Sequence, residues 1–250
     1  MPYTFIHDIE QVRKFHSLLS PLKEDEAYFI SMSARNKYLT AEERAYYDLG
    51  RKEMFDRKLV KETSFECFLR ELRTFEVNDG GYTGRSNIPI PEKCMVIYAN
   101  INPVSGILAL REFYEKTNTI LFEMGSNKSI NKKFSCLDSE LLNCYQRAHG
   151  TSTLIDIDCD IPDDGADLVK TVCDDLREHD VVFNVMKTRS GYHILIQRDT
   201  LTYNYKWIIE NVNAEAVQRY ERAEIMVNRN QMVPCPGTIS AGHKVVFVDM

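Results

Sequence analysis

The chain has 250 residues, enough for one large domain or two modest ones around a sizeable core. Apolar residues make up 44% and charged residues 27%, no run of about 18 apolar residues occurs, and the start lacks a signal peptide's apolar core; the expectation is a cytosolic protein (host cytoplasm if the source is viral) without a membrane span. The formal net charge of −6 excludes a protein that coats nucleic acid through many phosphates, while leaving room for a local basic groove.

The seven cysteines form no C-x-x-C pair and are scattered, which argues against a disulfide framework or a structural zinc. Residues 1–90 read as a mostly helical region. Thr40-Ala41-Glu42-Glu43 is a capping box that opens a periodic stretch to about Leu59, and Thr63 through Glu66 repeats the pattern ahead of Phe65, Phe68, Leu69 and Leu72. The loop "NDGGYTGRSNIPIPEK" (78–93) is the best candidate for a boundary between subdomains.

Residues 91–250 form the second unit. "CMVIYANI" (94–101) reads as a strand, "ILALREFYEK" as a helix, "NTILFEM" as a short strand or buried turn, and "CLDSELLNCYQRAH" (136–149) as a helix. Within 151–250, Thr153–Asp158 is a strand, and Asp163 or Asp164 caps a helix carrying Leu168, Val169, Val172 and Leu176. Val181–Met186 and "GYHILIQ" (191–197) are strands, Thr202–Arg219 is a helix, and "EIMVN" (224–228) and "HKVVFVD" (243–249) are strand-like. The expected class is α+β. A βαββαβ antiparallel module of ferredoxin-like, RRM-like type stands beside a further αβ module and the helical N-terminal region.

The stretch "TLIDIDCDIPDDG" (153–165) carries the chemistry. Strand alternation puts Asp156 and Asp158 on one face and Ile155 and Ile157 on the other. Two such carboxylates lie about 6–7 Å apart and suit a hard divalent cation, Mg²⁺ or Mn²⁺. The alternative is a solvated strand face running into an acidic turn. In the 4-1-3-2 order of a ferredoxin-like sheet, the start of "TRSGYHILI" (188–196) meets the end of the Asp156 strand, so His193 approaches Asp158. Arg189, Ser190 and, more weakly, Lys187 are phosphate donors beside it. A third acid is needed for paired metals. Strand geometry favours Glu224, with Glu221 as fallback and Asp249 as the alternative if "HKVVFVD" is the fourth strand.

"LIDIDCD", "KTRSGYHILI" and "VPCPGTISAGHKVVFVD" resemble the three signature regions of the archaeo-eukaryotic primase superfamily, over roughly Thr153–Met250. Asp156 and Asp158 match its D-x-D motif, and Ser190, Gly191 and His193 its S-G-x-H region. Glu224 stands where the family usually has aspartate, whereas the ligase-associated pattern points to Asp249.

The resemblance implies a template-directed nucleotidyltransferase, a DNA primase or primase-polymerase using two-metal catalysis. His193, Ser190, Arg189 and Lys187 would contact the triphosphate. Lys128, Lys132, Lys133 and Arg147 would contact template or triphosphate. The implied partners are nucleoside triphosphates, a single-stranded DNA template and a helicase or other replication protein; a phage or mobile element is the natural setting. The competing readings are a metal-dependent nuclease or phosphoesterase, and a catalytically silent binder of nucleic acid or a replication partner.

Overall fold

The computed structural model describes residues 3–84, 87–124, 137–221, 223–228 and 232–250. Helix α1 (Ile9–Leu18) begins at Asp8, whose carboxylate accepts the Glu10 and Gln11 amides, and it buries Val12 and Phe15. Strand β1 (Glu26–Arg35) has the sequence EAYFISMSAR. Tyr28, Ile30, Met32 and Ala34 fill one face, and Ala27, Phe29, Ser31 and Ser33 fill the other, all buried. A strand covered on both faces loses the simple alternation of a half-exposed one.

Helix α2 (Ala41–Tyr47) opens on the reciprocal cap. Thr40 Oγ1 accepts the Glu43 amide, and the Glu43 carboxylate accepts the Thr40 amide. The helix then stops at Asp48, which leaves in a left-handed conformation (φ 47°). Strand β2 (Lys52–Val60) follows and pairs antiparallel with β1. The mostly helical reading of residues 1–90 is therefore corrected for 26–35 and 52–60. Lys, Glu and Met favour a helix locally by a few tenths of a kcal/mol each, and pairing against a buried central strand outweighs that. Helix α3 (Phe65–Arg73) is capped by Ser64, one residue beyond the expected Thr63, and buries Phe65, Cys67, Phe68 and Leu72.

Strands β3 (Met95–Asn100) and β4 (Val104–Ser105) lead to helices α4 (Gly106–Met124) and α5 (Leu137–Arg147). "NTILFEM" is the final stretch of α4, not a strand, and the two helices pack through Ala109, Phe113, Cys144 and Ala148. The first sheet has the order β2-β1-β3-β9, with β9 at Met232–Pro234, and β4 pairs with β1. The 78–93 loop does not divide the molecule between its sheets. Tyr82 and Ile90 are buried, the Tyr3 hydroxyl donates to the Ile90 carbonyl at 2.8 Å, and β3 beyond the loop pairs with β1.

The second sheet comes from β5 (Leu154–Asp160), α6 (Ala166–Glu178), β6 (Phe183–Lys187), β7 (Tyr192–Gln197), α7 (Lys206–Arg219) and β8 (Glu224–Asn228). "HKVVFVD" divides in two. His243–Lys244 is β11, in a hairpin with β10 (Ile239–Ser240), and Val246–Val248 is β12. The order is β12-β6-β7-β5-β8, every pair antiparallel. Helix α6 follows a short 3₁₀ turn at Asp163–Gly165 and has Gly165 at its N-cap, so neither Asp163 nor Asp164 caps it.

One face of this sheet packs Ile155, Ile157, Ile194 and Ile196 on Leu168, Val169, Val172 and Leu176 of α6 and Ile209 and Val212 of α7. The other face sends Leu154, Met186, Leu195 and Phe247 into the same core as β1, β3, α1 and α3. Asp156, Asp158 and His193 belong to that second face by alternation, at the junction of the two sheets. Among the described residues no helix is long and apolar enough to cross a membrane, and the described cysteines are all free and buried.

Candidate ligand site where the two sheets meet

Register sets the centre of the site. In the β5–β7 ladder Asp158 lies directly opposite His193, and Asp156 opposite Leu195. The His193 ring reaches diagonally. Its Nδ1 donates to Asp156 Oδ1 at 3.0 Å, with Oδ2 at 3.2 Å, and its Nε2 faces Asp158 Oδ1 at 3.8 Å. Asp156 has no exposed surface and His193 almost none. Burial opposes the charged ring most strongly, but Asp156, then Asp158 and Asp160, outweigh it and push the His193 pKa up to about 9. At neutral pH the ring is therefore an imidazolium clamped between two carboxylates, and it supplies the counter-charge that strand alternation leaves missing.

Beside this triad the β6–β7 turn opens a groove. Thr188 donates its amide (2.8 Å) and hydroxyl (3.2 Å) to the Gly191 carbonyl. Gly191 has φ +152° and lies against β5; a Cβ there would sit 2.0 Å from the Cys159 carbonyl oxygen. Ser190, at the tip, has its hydroxyl 3.4 Å from Lys37 Nζ, which comes from just after β1 in the first sheet. Arg189 donates to the Ala241 carbonyl (2.7 Å) and the Lys93 carbonyl (3.2 Å). Its guanidinium stands 4.4 Å from the centre of the Tyr38 ring, and Lys37 Nζ 5.2 Å from the same ring. Lys37 and Arg189 have no ion-pair partner among the described residues. The groove, of about 940 Å³, is lined by these residues together with Asp160, Lys187, Glu221 and His243. Lys187 is neutralised by Asp163 at 3.0 Å, and that contact holds its pKa above the ordinary lysine value.

No family model, no curated protein and no solved structure matches this chain.

The geometry does not fit paired metals. Among the described residues no group of three or more His, Cys, Asp and Glu side chains is placed to hold a metal ion. Both oxygens of Asp156 already face the His193 Nδ1 proton, and a cation bound there would adjoin a positive ring. Glu224 is exposed and pairs with Asp160, while Met226 stands opposite Asp158. The expected third acid is thus displaced by two residues, about 7 Å along the strand. Asp249 follows β12, three strand spacings from β5, or about 14 Å.

The absence of such a group among the described residues overturns the Mg²⁺ or Mn²⁺ cofactor expected at Asp156, Asp158 and Glu224, with Asp249 as alternative. It also overturns the two-metal nucleotidyltransferase reading, primase or primase-polymerase, and the metal-dependent nuclease reading with it.

Of the other expected contacts, Arg147 pairs with Glu112 (2.7 Å) and Glu140 (3.5 Å), in a network that includes Lys116. Its charge is spent within the α4–α5 pair. Lys128, Lys132 and Lys133 lie outside the described residues. Sequence reasoning missed Lys37 and Tyr38, since nothing local marks "RNKY" and only the packing of the two sheets brings it to Ser190.

Proposed function

We propose that the groove beside Ser190 binds the phosphates of a nucleoside triphosphate without a metal ion. The observation that carries this reading is the convergence of Lys37, Arg189 and Ser190 from two different sheets, with no carboxylate among the described residues neutralising either cation. Two such cations 4–6 Å from one ring in a chain of net charge −6 call for an anion. An ammonium, a guanidinium fork and a hydroxyl are the donors that phosphate oxygens accept from. The groove volume suits a nucleotide-sized ligand, and Asp160 and Glu221 on its lining offer acceptors for hydroxyl or amino groups.

The β5–β8 unit with its two helices is, in this reading, a ferredoxin-like, RRM-like module. Kinship with the archaeo-eukaryotic primase superfamily is proposed at the level of fold, with the D-x-D pair engaged by His193 instead of metal. The cytosol is the proposed setting, a reading supported by the free, buried thiols.

Calorimetric titration with ATP in EDTA at low ionic strength tests the proposal. Binding is expected to persist in EDTA, to weaken with added salt, and to fall about tenfold, or about 1.4 kcal/mol, in Lys37→Met. Absence of binding in EDTA, or an unchanged affinity in Lys37→Met, overturns it.

A further inference from the structure

A second pair of cations is not part of the lining of the Ser190 groove. Arg35 ends β1, Lys52 begins β2, and the two are direct register partners on the same face of the first sheet. Like charges placed directly opposite one another destabilise a ladder, and neither residue has an ion-pair partner among the described residues. Arg35 Nη1 donates to the Tyr98 hydroxyl at 2.8 Å, while its Nε is buried with no acceptor. Lys52 is an exposed residue, and its Nζ lies 4.2 Å from the centre of the Tyr98 ring.

Loss of hydration first, and the Arg35 charge second, lower the Lys52 pKa to about 8. Tyr98 cannot neutralise the pair, because burial pushes its phenol up to about 12. Asp158 also pushes the Tyr98 phenol up, yet no carboxylate among the described residues forms an ion pair with Arg35 or Lys52, so the orphaned buried donor and the partly desolvated ammonium have no anion paired to them. The polar atoms nearby on the same strand face agree, since Ser31 and Ser33 Oγ are also buried without partners.

We infer that Arg35 and Lys52 form an anion subsite that takes a phosphate group, seated over Tyr98 on residues outside the lining of the Ser190 groove. It stands on residues that the nucleotide proposal does not use. A phosphate would accept from Lys52 Nζ and the Arg35 guanidinium and remove the cross-strand repulsion. The phosphate could be a free ion or belong to a nucleic-acid backbone, and the two sources are separable.

The test is thermal unfolding of the full chain in sodium phosphate against sodium chloride at matched ionic strength. It is run on the wild type, Lys37→Met, Lys52→Met and the double variant. Phosphate is expected to raise the Tm of Lys37→Met by several degrees over chloride, and Lys52→Met in that background is expected to abolish the difference. Lys52→Met alone in chloride is expected to be at least as stable as wild type, which controls for misfolding. If phosphate gives no advantage in Lys37→Met, or the advantage survives in the double variant, the inference is overturned.

Anisotropy with a labelled oligothymidylate then identifies the source. A fivefold or greater loss in Lys52→Met assigns a backbone phosphate, and unchanged affinity alongside the lost phosphate effect assigns a small free anion. ATP affinity in Lys52→Met is expected to be unchanged, so failure of the nucleotide proposal appears only in Lys37→Met.

Discussion

At the scale of single residues, the Asp156–His193–Asp158 group is where charge and burial conflict most sharply. A carboxylate with no exposed surface is tolerated because a cation is hydrogen-bonded to it. Removing the cation leaves two carboxylates facing each other, so His193→Ala is expected to lose about 3–5 kcal/mol in urea unfolding. Asp156→Asn with His193→Gln is expected to recover some of that loss, since a neutral amide pair needs no counter-charge.

The pH dependence has a definite sign. The folded pKa, about 9, exceeds the unfolded value of 6.5, so the folded chain binds the extra proton. The stabilisation is complete below about pH 6.5 and is lost as pH rises through 9, a fall of a few kcal/mol. Urea midpoints between pH 6 and pH 9.5 check this; His193→Gln is expected to flatten the slope, and a wild-type stability that rises over this interval contradicts the charged-ring assignment. The sequence made the shared face of the two aspartates and the nearness of His193 legible, because strand alternation and a histidine at the start of the neighbouring strand are local signals. It did not reveal which cation answers them. Metal and imidazolium satisfy the same pair of carboxylates, and only the depth of burial and the ring's diagonal reach choose between the two.

At the scale of elements, the β6–β7 turn depends on one close approach. Gly191→Ala would place a methyl carbon on the Cys159 carbonyl and would also require a backbone angle that L side chains rarely adopt. The variant is expected to lose about 3 kcal/mol of stability and most ATP affinity, because Ser190 and Arg189 move with the turn. Retention of both in calorimetry would mean that β5 yields locally. The strands at 154–160 and 192–197 and the helix at 166–178 lie close to their sequence readings, since apolar alternation and a 3.6-residue period mark them. β2 was not legible. Its residues carry no apolar alternation, and its partner β1, buried on both faces, offers no period-two signal either. Long-range pairing made both strands, and a local window does not reach from Ile30 to its partner Lys58.

At the scale of the whole molecule, the two sheets are not independent bodies. Leu154, Met186, Leu195 and Phe247 of the second sheet share one core with Tyr28, Ile30, Phe15 and Phe68, and β9, late in the chain, completes the first sheet beside β3. The boundary read from the loop at 78–93 does not separate folding units of that kind. A fragment of residues 151–250 is expected to expose those four apolar side chains, to bind a hydrophobic dye and to lack a cooperative thermal transition. A sharp transition in the fragment would show that the second sheet is self-sufficient. The same interlocking brings Lys37 to Ser190, so the fragment is also expected to lose ATP binding.

The sequence by itself determined that helices and strands are mixed in the chain, the β5 alternation, the reciprocal cap at Thr40 and Glu43, and the chemical kind of the residues at the β6–β7 turn. These follow from interactions within a few residues, where side-chain direction is set by backbone period. The tertiary structure alone decided that an imidazolium, not a metal, meets the aspartates, that Glu224 stands opposite Asp160, and that Lys37, Arg35 and Lys52 form cationic clusters. Each depends on register and on the packing of two sheets, which brings Lys37 to Ser190 across 153 residues of chain. Distance, burial and the dielectric they impose are properties of that packing, and they decide which charge a side chain carries and what it can hold.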